Sequence, residues 1–148
     1  MTYSLVALTE DHLAEMSVIE QSCHHSPMSP ATLASCFGHL YRVEGVVTDE
    51  KLLGFSIVQQ VIDEVTLMDI CVAPSAQGLG LGKRLLTSLV AQAKVLNAVV
   101  IMLEVRQSNL SAISLYKTAG FVETSRRKGY YPTDDGHEDA ILMDLVLS

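Results

Sequence analysis

A predicted strand gives way to a predicted helix at the stretch Gln77-Gly78-Leu79-Gly80-Leu81-Gly82-Lys83. At such a junction, the free backbone N–H groups and the positive end of the helix dipole face the same point. The glycines let the backbone approach a bulky phosphate without side chains in the way. The stretch therefore predicts an anion-binding turn, although a flexible glycine-rich turn that binds nothing also fits the spacing.

Two common phosphate-binding motifs do not fit this turn. A Walker loop needs glycine where Gln77 stands and serine or threonine where Arg84 stands. A dinucleotide-binding fingerprint that begins at Gly78 and Gly80 needs its third glycine at Lys83. The anion is therefore not predicted to belong to a nucleotide held by either of these motifs.

Upstream of the turn, runs of β-type residues predict strands at residues 43–48, 52–62 and 65–73. Short acidic turns separate these strands, which indicates an antiparallel meander. Downstream, a helix with one apolar face leads into an apolar run at residues 98–103, which is typical of a strand covered on both sides. The order strand, helix, strand predicts a parallel pair with a right-handed crossover.

The N-terminal part of the chain is predicted to be helical. Apolar residues recur at helical spacing at residues 13–19, behind a possible cap at Thr9. A second helix has clear boundaries, because Ser29 is a favourable N-cap, Pro30 suits the first helical position and Gly38 ends the helix.

The C-terminal part continues the sheet. A helix is predicted from Asn109 to Gly120, and strands are predicted at residues 121–127 and 140–147, joined by a loop that contains Pro132. Together these elements predict an α/β (α+β) fold with a mixed central sheet and helices on both faces.

Composition narrows the class of protein further. The chain has 148 residues, of which 49% are hydrophobic and 18% charged, so we expect one globular domain over residues 1–148. The net charge of −7 argues against nucleic-acid binding and favours a cationic partner. There is no apolar run long enough to span a membrane and no signal-like start, so we expect a cytoplasmic protein.

The cysteines and histidines indicate no metal site. Cys23, Cys36 and Cys71 are an odd number without close pairing, which is typical of reduced thiols. The five histidines repeat no ligand spacing on one element, so the sequence predicts no metal.

The glycine turn resembles a known family motif. The pattern Gln77-x-x-Gly80-x-Gly82 is similar to the pyrophosphate-binding motif of the GNAT superfamily of acetyl-CoA-dependent N-acetyltransferases. Over essentially the whole chain, further segments resemble the RimI-type ribosomal-protein-alanine N-acetyltransferases: Glu64-Val65-Thr66-Leu67, Leu103-Glu104-Val105-Arg106, Ser108-Asn109, Ala112-Ile113-x-Leu115-Tyr116, Gly120-Phe121 and Arg126-Arg127-x-x-Tyr130-Tyr131-Pro132. The resemblance implies a mostly antiparallel sheet with a splayed parallel strand pair.

The resemblance also implies how acetyl-CoA is bound. In the family, the strand at Ile70-Cys71-Val72 offers backbone groups to the acetyl and pantetheine portion, while Gly78 to Lys83 wrap the pyrophosphate and Lys83 supplies a countercharge. Asn109 resembles the residue that bonds the pantetheine arm. A plain N-cap of the next helix is the alternative role for Asn109.

Two residues are predicted to carry the chemistry. Glu104 interrupts an apolar strand, and the family resemblance makes it the general base that frees the attacking amine. A salt bridge to Arg106 or another cation is the alternative. Tyr116 resembles the phenol that protonates the departing thiolate, with a core tyrosine as the alternative. Cys71 is predicted to be inert, because no histidine lies beside it in sequence.

The resemblance implies a peptide N-terminus as acceptor, specifically the N-terminal alanine of the eighteenth small-subunit ribosomal protein. Specificity is predicted to come from residues 23–30, with Met28 where family members often have tryptophan, and from Tyr130 and Tyr131. Acetylation of lysine side chains or small amines remains an alternative. So does a catalytically silent CoA-binding interaction module.

Overall fold

The computed structural model describes residues 2–147, which form a mixed sheet with helices on both faces. The strands are β1 (Ser4–Ala7), β2 (Tyr41–Thr48), β3 (Lys51–Val61), β4 (Glu64–Val72), β5 (Val100–Arg106), β6 (Val122–Thr133) and β7 (Gly136–Val146). The α-helices are α1 (Leu13–Cys23), α2 (Pro30–Ala34), α3 (Leu81–Val95) and α4 (Leu110–Thr118). The α/β (α+β) prediction is confirmed.

The seven strands are arranged in the order β1-β2-β3-β4-β5-β7-β6. All neighbours are antiparallel except β4 and β5, which are parallel and are joined by α3. The parallel register covers the pairs Glu64–Val100, Val65–Ile101 and Thr66–Met102. Beyond these pairs the two strands separate, which gives the splayed parallel pair that the family resemblance implied.

Apolar side chains on the two faces of the sheet explain why the helices pack where they do. On one face, α1 and α2 cover a cluster that includes Phe55 and Ile57 of β3. On the other face, α3 and α4 contribute to a cluster that includes Leu67 and Ile101. Leu81, Leu85, Leu86, Leu89 and Ala93 form the buried face of α3, as their helical spacing predicts.

The helix boundaries follow the caps expected from the sequence. The Ser29 hydroxyl accepts a hydrogen bond from the Thr32 backbone N–H, and Pro30 begins α2. The Asn109 side chain likewise accepts from the Ala112 N–H at the start of α4. Thr9 caps a short 3-10 turn that leads into α1. No helix among residues 2–147 is long and apolar enough to cross a membrane.

Two predictions of local structure were wrong. Strand β1, which pairs with β2, was not predicted, because four residues are too few to establish an alternating pattern. The predicted loop between residues 127 and 140 is instead mostly strand, since β6 continues to Thr133 and β7 begins at Gly136. Pro132 is tolerated there because β6 is an edge strand, which has ladder positions that need no N–H donor.

Candidate active site

A cleft of about 550 Å³ opens where β4 and β5 separate. Its walls come from the ends of both strands, the glycine turn, α4 and the segment after α1. Most of the predicted site residues line it: Glu104, Tyr116, Asn109, Ile70, Cys71, Val72, Gln77, Gly80, Leu81, Gly82, Lys83, Met28 and Tyr131. Gly78, Leu79 and Tyr130 lie outside the lining.

The glycine turn leads directly into the N-terminus of α3, which has no side-chain cap in the described part of the chain. Gly78 and Gly80 have φ angles of +82° and +77°, which L-residues with a Cβ rarely adopt. Gly80 is the N-cap of α3, and within residues 2–147 this helix has no side-chain capping hydrogen bond at its N-terminus. The N–H groups of this turn therefore remain available for an anion.

Gln77 fastens the start of the turn to the end of β4. Its side-chain amide donates to the Val72 carbonyl oxygen at 3.0 Å. The thiol of Cys23 donates to the same carbonyl at 3.0 Å. These bonds hold the end of β4 in a fixed position relative to α1 and to the turn.

Glu104 points into the cleft rather than into the core. Its neighbours Leu103 and Val105 are buried, and its own carboxylate is 32% exposed, as strand alternation requires. The Arg127 guanidinium of β6 lies 3.2 Å from the Glu104 carboxylate. The alternative of a salt bridge is thus present, with Arg127 as the partner instead of Arg106, and it leaves the carboxylate accessible from the cleft.

Tyr116 combines a buried ring with a place on the cleft wall. It is 5% exposed and packs against Phe121, with ring centroids 5.8 Å apart. Burial raises the pKa of the Tyr116 hydroxyl, and the negative charge of nearby Asp69 adds to the effect. The phenol is therefore protonated at neutral pH, which a proton donor requires.

The side chains predicted to contact the acceptor lie at the mouth of the cleft. The Met28 N–H donates to the Glu20 carboxylate at 2.9 Å. The Arg106 guanidinium lies over the Tyr131 ring, 4.4 Å from its centroid. Tyr130 packs edge-on against Tyr131 at 5.1 Å, so it neighbours the cleft without lining it.

Comparison with known proteins identifies the family. Residues 5–121 match the model of the acetyltransferase (GNAT) family. The chain belongs to the GNAT acetyltransferase family. It is 41% identical over 147 residues to the ribosomal protein bS18-alanine N-acetyltransferase of Salmonella typhimurium, covering 99% of this chain and 98% of that protein. It is 44% identical over 130 residues to the Escherichia coli K12 protein of the same name, covering 88% of each.

Solved structures agree with this membership. The crystal structure of the ribosomal-protein-S18-alanine N-acetyltransferase from Escherichia coli superposes with a TM-score of 0.96 at 40% identity, covering 99% of this chain and 95% of that chain. Ard1 from Thermoplasma volcanium shares the fold, with a TM-score of 0.90 at 19% identity and coverage of 100% and 99%. Acetyltransferases of the GNAT family take their acetyl group from acetyl-CoA.

One group of side chains in this GNAT acetyltransferase was missed by the sequence analysis. Glu20, His24, Asp69 and Cys71 meet on the cleft wall. Burial and the adjacent Asp69 raise the pKa of Glu20 to about 7. A hydrogen bond with Cys23 and burial raise the pKa of the Cys71 thiol. No histidine lies beside Cys71 in the sequence, but the fold brings Nε2 of His24 to 3.0 Å from its sulfur.

The sequence did contain a signal for this group. Glu20 in the last turn of α1 and His24, the C-cap of that helix, are four residues apart, and Asp69 and Cys71 are two residues apart on β4. Each spacing places both side chains on the same face of its element. What the sequence could not indicate is that these two faces lie against each other.

Proposed function

We propose that this protein transfers the acetyl group of acetyl-CoA to the N-terminal alanine of ribosomal protein bS18. The observation that carries the proposal is the 41–44% identity to proteins named for this reaction, over 88–99% of the chain. The site supports it, since a glycine turn, a carboxylate and a phenol line a single cleft.

In this proposal, acetyl-CoA lies in the opening between β4 and β5. Its pyrophosphate binds the N–H groups of residues 78–83, with Lys83 as the countercharge. The pantetheine arm runs along Ile70, Cys71 and Val72 toward Asn109. Asn109 already caps α4 through its side-chain oxygen, so its amide nitrogen is the atom left to bond the arm.

Glu104 acts as the general base. An N-terminal α-amine has a pKa near 7.7–8.0 and a lysine side chain one of roughly 10.4. At pH 7, freeing the α-amine therefore costs about 1 kcal/mol, against about 4–5 kcal/mol for lysine. A single accessible carboxylate is sufficient for the first task. Arg127 orients this carboxylate by holding one oxygen at 3.2 Å.

Tyr116 acts as the general acid. The free amine attacks the thioester carbon, and a C–N bond forms as the carbonyl π electrons move to oxygen. When the tetrahedral intermediate collapses, the C–S bond breaks and the thiolate takes the proton of the Tyr116 hydroxyl. As the amide forms, the nitrogen releases its second proton to water, and water returns a proton to the Tyr116 phenolate. Glu104 passes the proton that it took from the ammonium group to the solvent, so one proton is released for each acetyl group transferred. No covalent acyl-enzyme is needed.

The acceptor peptide enters past Met28 and Tyr131, with Tyr130 supporting the Tyr131 ring. Methionine offers a flexible apolar surface to the first residues of the peptide. The net charge of −7 favours the encounter with a basic ribosomal protein.

A pair of peptides tests the proposed function. One carries the N-terminal sequence of bS18 with a free alanine, and the other has a blocked N-terminus and an internal lysine. After incubation with acetyl-CoA, mass spectrometry is expected to find acetylation of the first peptide alone. Acetylation of only the blocked peptide would overturn the assignment, and CoA binding without turnover of either peptide would favour a catalytically silent module.

A further inference from the structure

Four side chains with metal-ligand chemistry converge on the wall of the cleft. Glu20 lies in the last turn of α1, His24 is the residue directly after α1, and Asp69 and Cys71 belong to β4. Each offers one ligand atom, and these atoms all lie within 4.8 Å of one another. The group contains two carboxylates, one imidazole and one thiol.

The separations between the ligand atoms are close to those around a tetrahedral ion. Nε2 of His24 lies 2.8 Å from Oδ1 of Asp69 and 3.0 Å from Sγ of Cys71. Oε1 of Glu20 lies 3.1 Å from the same sulfur and 3.8 Å from Nε2 of His24. Ligand atoms bound to a tetrahedral Zn²⁺ are roughly 3.3–3.7 Å apart. The three shortest pairs therefore have to separate by about half an ångström, the Cys71 sulfur and Oδ1 of Asp69 already lie 3.4 Å apart, and the wider pairs, all within 4.8 Å, have to approach.

A buried oxygen in this group lacks a partner. Asp69 is 8% exposed, and its Oδ2 forms no hydrogen bond with residues 2–147. Leaving such an atom unpaired costs about 1–3 kcal/mol. Within the described chain, the ion pairs of Glu20 and Asp69 involve His24 and neither lysine nor arginine. The group therefore has two carboxylates and only one imidazole, and a bound cation would balance the excess negative charge.

A neighbouring contact fixes the orientation of one ligand. Oε2 of Glu20 accepts the Met28 N–H at 2.9 Å, which leaves Oε1 directed at His24 and Cys71. Metal sites in proteins commonly use such outer contacts to orient the ligands.

We propose that Glu20, His24, Asp69 and Cys71 form a binding site for one Zn²⁺ ion. A thiolate and an imidazole favour zinc over Mg²⁺ or Ca²⁺, which prefer sets of oxygen ligands. Four protein ligands suit a closed tetrahedral site. Cys71 binds as the thiolate and its proton goes to the solvent. The ion ties the end of α1 to β4, and the proposal replaces the sequence-based prediction of no metal.

Calorimetric titration of the chelator-treated full-length protein with Zn²⁺ tests the proposal. We expect binding of one ion per chain and a higher Tm in its presence. Cys71→Ala and His24→Ala should each weaken the binding by about 10²-fold or more, because loss of even an outer contact costs 10–100-fold. Cys36→Ala and His25→Ala are the matched controls, since Cys36 is a buried thiol and His25 an exposed imidazole, both outside the group. Both controls should bind as the wild type does.

Two further measurements distinguish a loss of metal binding from a loss of folding, and neither of them requires catalytic activity. Asp69→Asn conserves the shape of the side chain, so circular dichroism should show a folded protein in which zinc binding is weakened. Co²⁺ in place of Zn²⁺ should give a sulfur-to-metal absorption band that Cys71→Ala abolishes and Cys36→Ala retains. Absence of Zn²⁺ binding by the folded wild type, or unchanged binding by Cys71→Ala, would overturn the site. Neither acetyl-CoA nor peptide is present, so the outcome does not depend on the proposed function.

Discussion

At the scale of single residues, the Glu104 carboxylate both forms an ion pair and faces the open cleft. On one side the Arg127 guanidinium lies 3.2 Å away, and on the other the cleft is open. Because the carboxylate is 32% exposed and the arginine 52% exposed, water screens the pair, and it adds at most about 1 kcal/mol to stability. Substitution of Glu104 therefore changes the chemistry of the cleft with little effect on the fold.

Glu104→Gln should lower kcat/KM by about 10²-fold or more, because a general base typically contributes that much. The KM for acetyl-CoA and the Tm should change little. Steady-state assays with the bS18 N-terminal peptide measure kcat/KM and the KM for acetyl-CoA, and thermal unfolding measures the Tm. Glu123→Gln is the matched control, since Glu123 forms a comparable exposed ion pair with Arg126 outside the cleft. Wild-type kcat/KM in Glu104→Gln would remove this residue from the mechanism.

Tyr116→Phe should slow the chemical step by about 10²-fold while the protein stays folded. The substitution keeps the ring that packs against Phe121 and removes only the hydroxyl proton donor. Single-turnover kinetics isolate this step from product release. Tyr3→Phe, outside the cleft, serves as the control. If the single-turnover rate of Tyr116→Phe equals that of the wild type, the tyrosine has a packing role alone.

Sequence reasoning reached these residues but not their partners. Glu104 stands out because a carboxylate in an apolar strand needs solvent, a partner or a use, and the structure provides both access to the cleft and an ion pair with Arg127. Arg127, however, is 23 residues further on, and only the placement of β7 between β5 and β6 brings it within reach. The contact between Glu20 and Asp69 likewise depends on tertiary structure, because it forms only when α1 packs on β4.

At the scale of elements, the glycines at the N-terminus of α3 differ in whether the fold itself requires glycine. Gly78 and Gly80 are needed for their positive φ angles, and a Cβ on either would have no atom within 4 Å. Gly82 lies within the helix, where a Cβ would meet Leu115 at 3.7 Å and Val72 at 3.9 Å, both ordinary contacts. A methyl group at Gly82 is therefore compatible with the fold. Any effect of this methyl group on ligand affinity would show that the ligand approaches the turn closely.

Gly82→Ala should leave the Tm unchanged or slightly raised, because alanine favours a helix over glycine by up to about 1 kcal/mol. Its Kd for acetyl-CoA should rise about tenfold, equivalent to about 1.4 kcal/mol, because the methyl group obstructs the approach of the pyrophosphate. Calorimetric titration gives the Kd. Gly80→Ala is the contrasting variant and should lose about 1–2 kcal/mol of stability through its left-handed backbone. Unaltered affinity in Gly82→Ala would place the pyrophosphate elsewhere.

Local signals explain which elements were predicted from the sequence. Helices with a cap and a stop, such as the one between Asn109 and Gly120, and strands in a meander were found, because their signals lie within the element itself. Strand β1 and the outer half of β6 were not, because pairing with a neighbour stabilises them. Pro132 indicated a loop, and only the edge position of β6 makes the residue compatible with a strand.

At the scale of the whole molecule, one apolar cluster connects the two flanks of the sheet. It contains Val65 and Leu67 of β4, Ile101 and Leu103 of β5, and residues of α3 and α4. Since β4 and β5 share few hydrogen-bonded pairs, this cluster and α3 provide much of the connection between β1–β4 and β5–β7.

Ile101→Ala should lower the free energy of unfolding by about 2–5 kcal/mol, because it leaves a cavity at a fully buried position in this cluster. Ile101→Val should lose only about 0.5–1.5 kcal/mol. Urea unfolding measures the differences. Val99→Ala is the control, because Val99 lies two residues earlier in the chain and is 47% exposed, and it should change the free energy by no more than about 0.5 kcal/mol. Equal losses at residues 99 and 101 would contradict the assigned role of the cluster.

Among the residues described, only three pairs join β4 to β5 in the middle of the seven-stranded sheet, so the two flanks β1–β4 and β5–β7 are connected over a short length of strand. We expect these flanks to change their mutual tilt in the free enzyme, on the microsecond-to-millisecond scale of collective motions. In the proposed binding mode, a thioester in the gap touches both flanks and restricts this rocking. Amide deuterium uptake should therefore slow at residues 68–72 and 103–106 together when acetyl-CoA is added, although these segments belong to opposite sides of the opening.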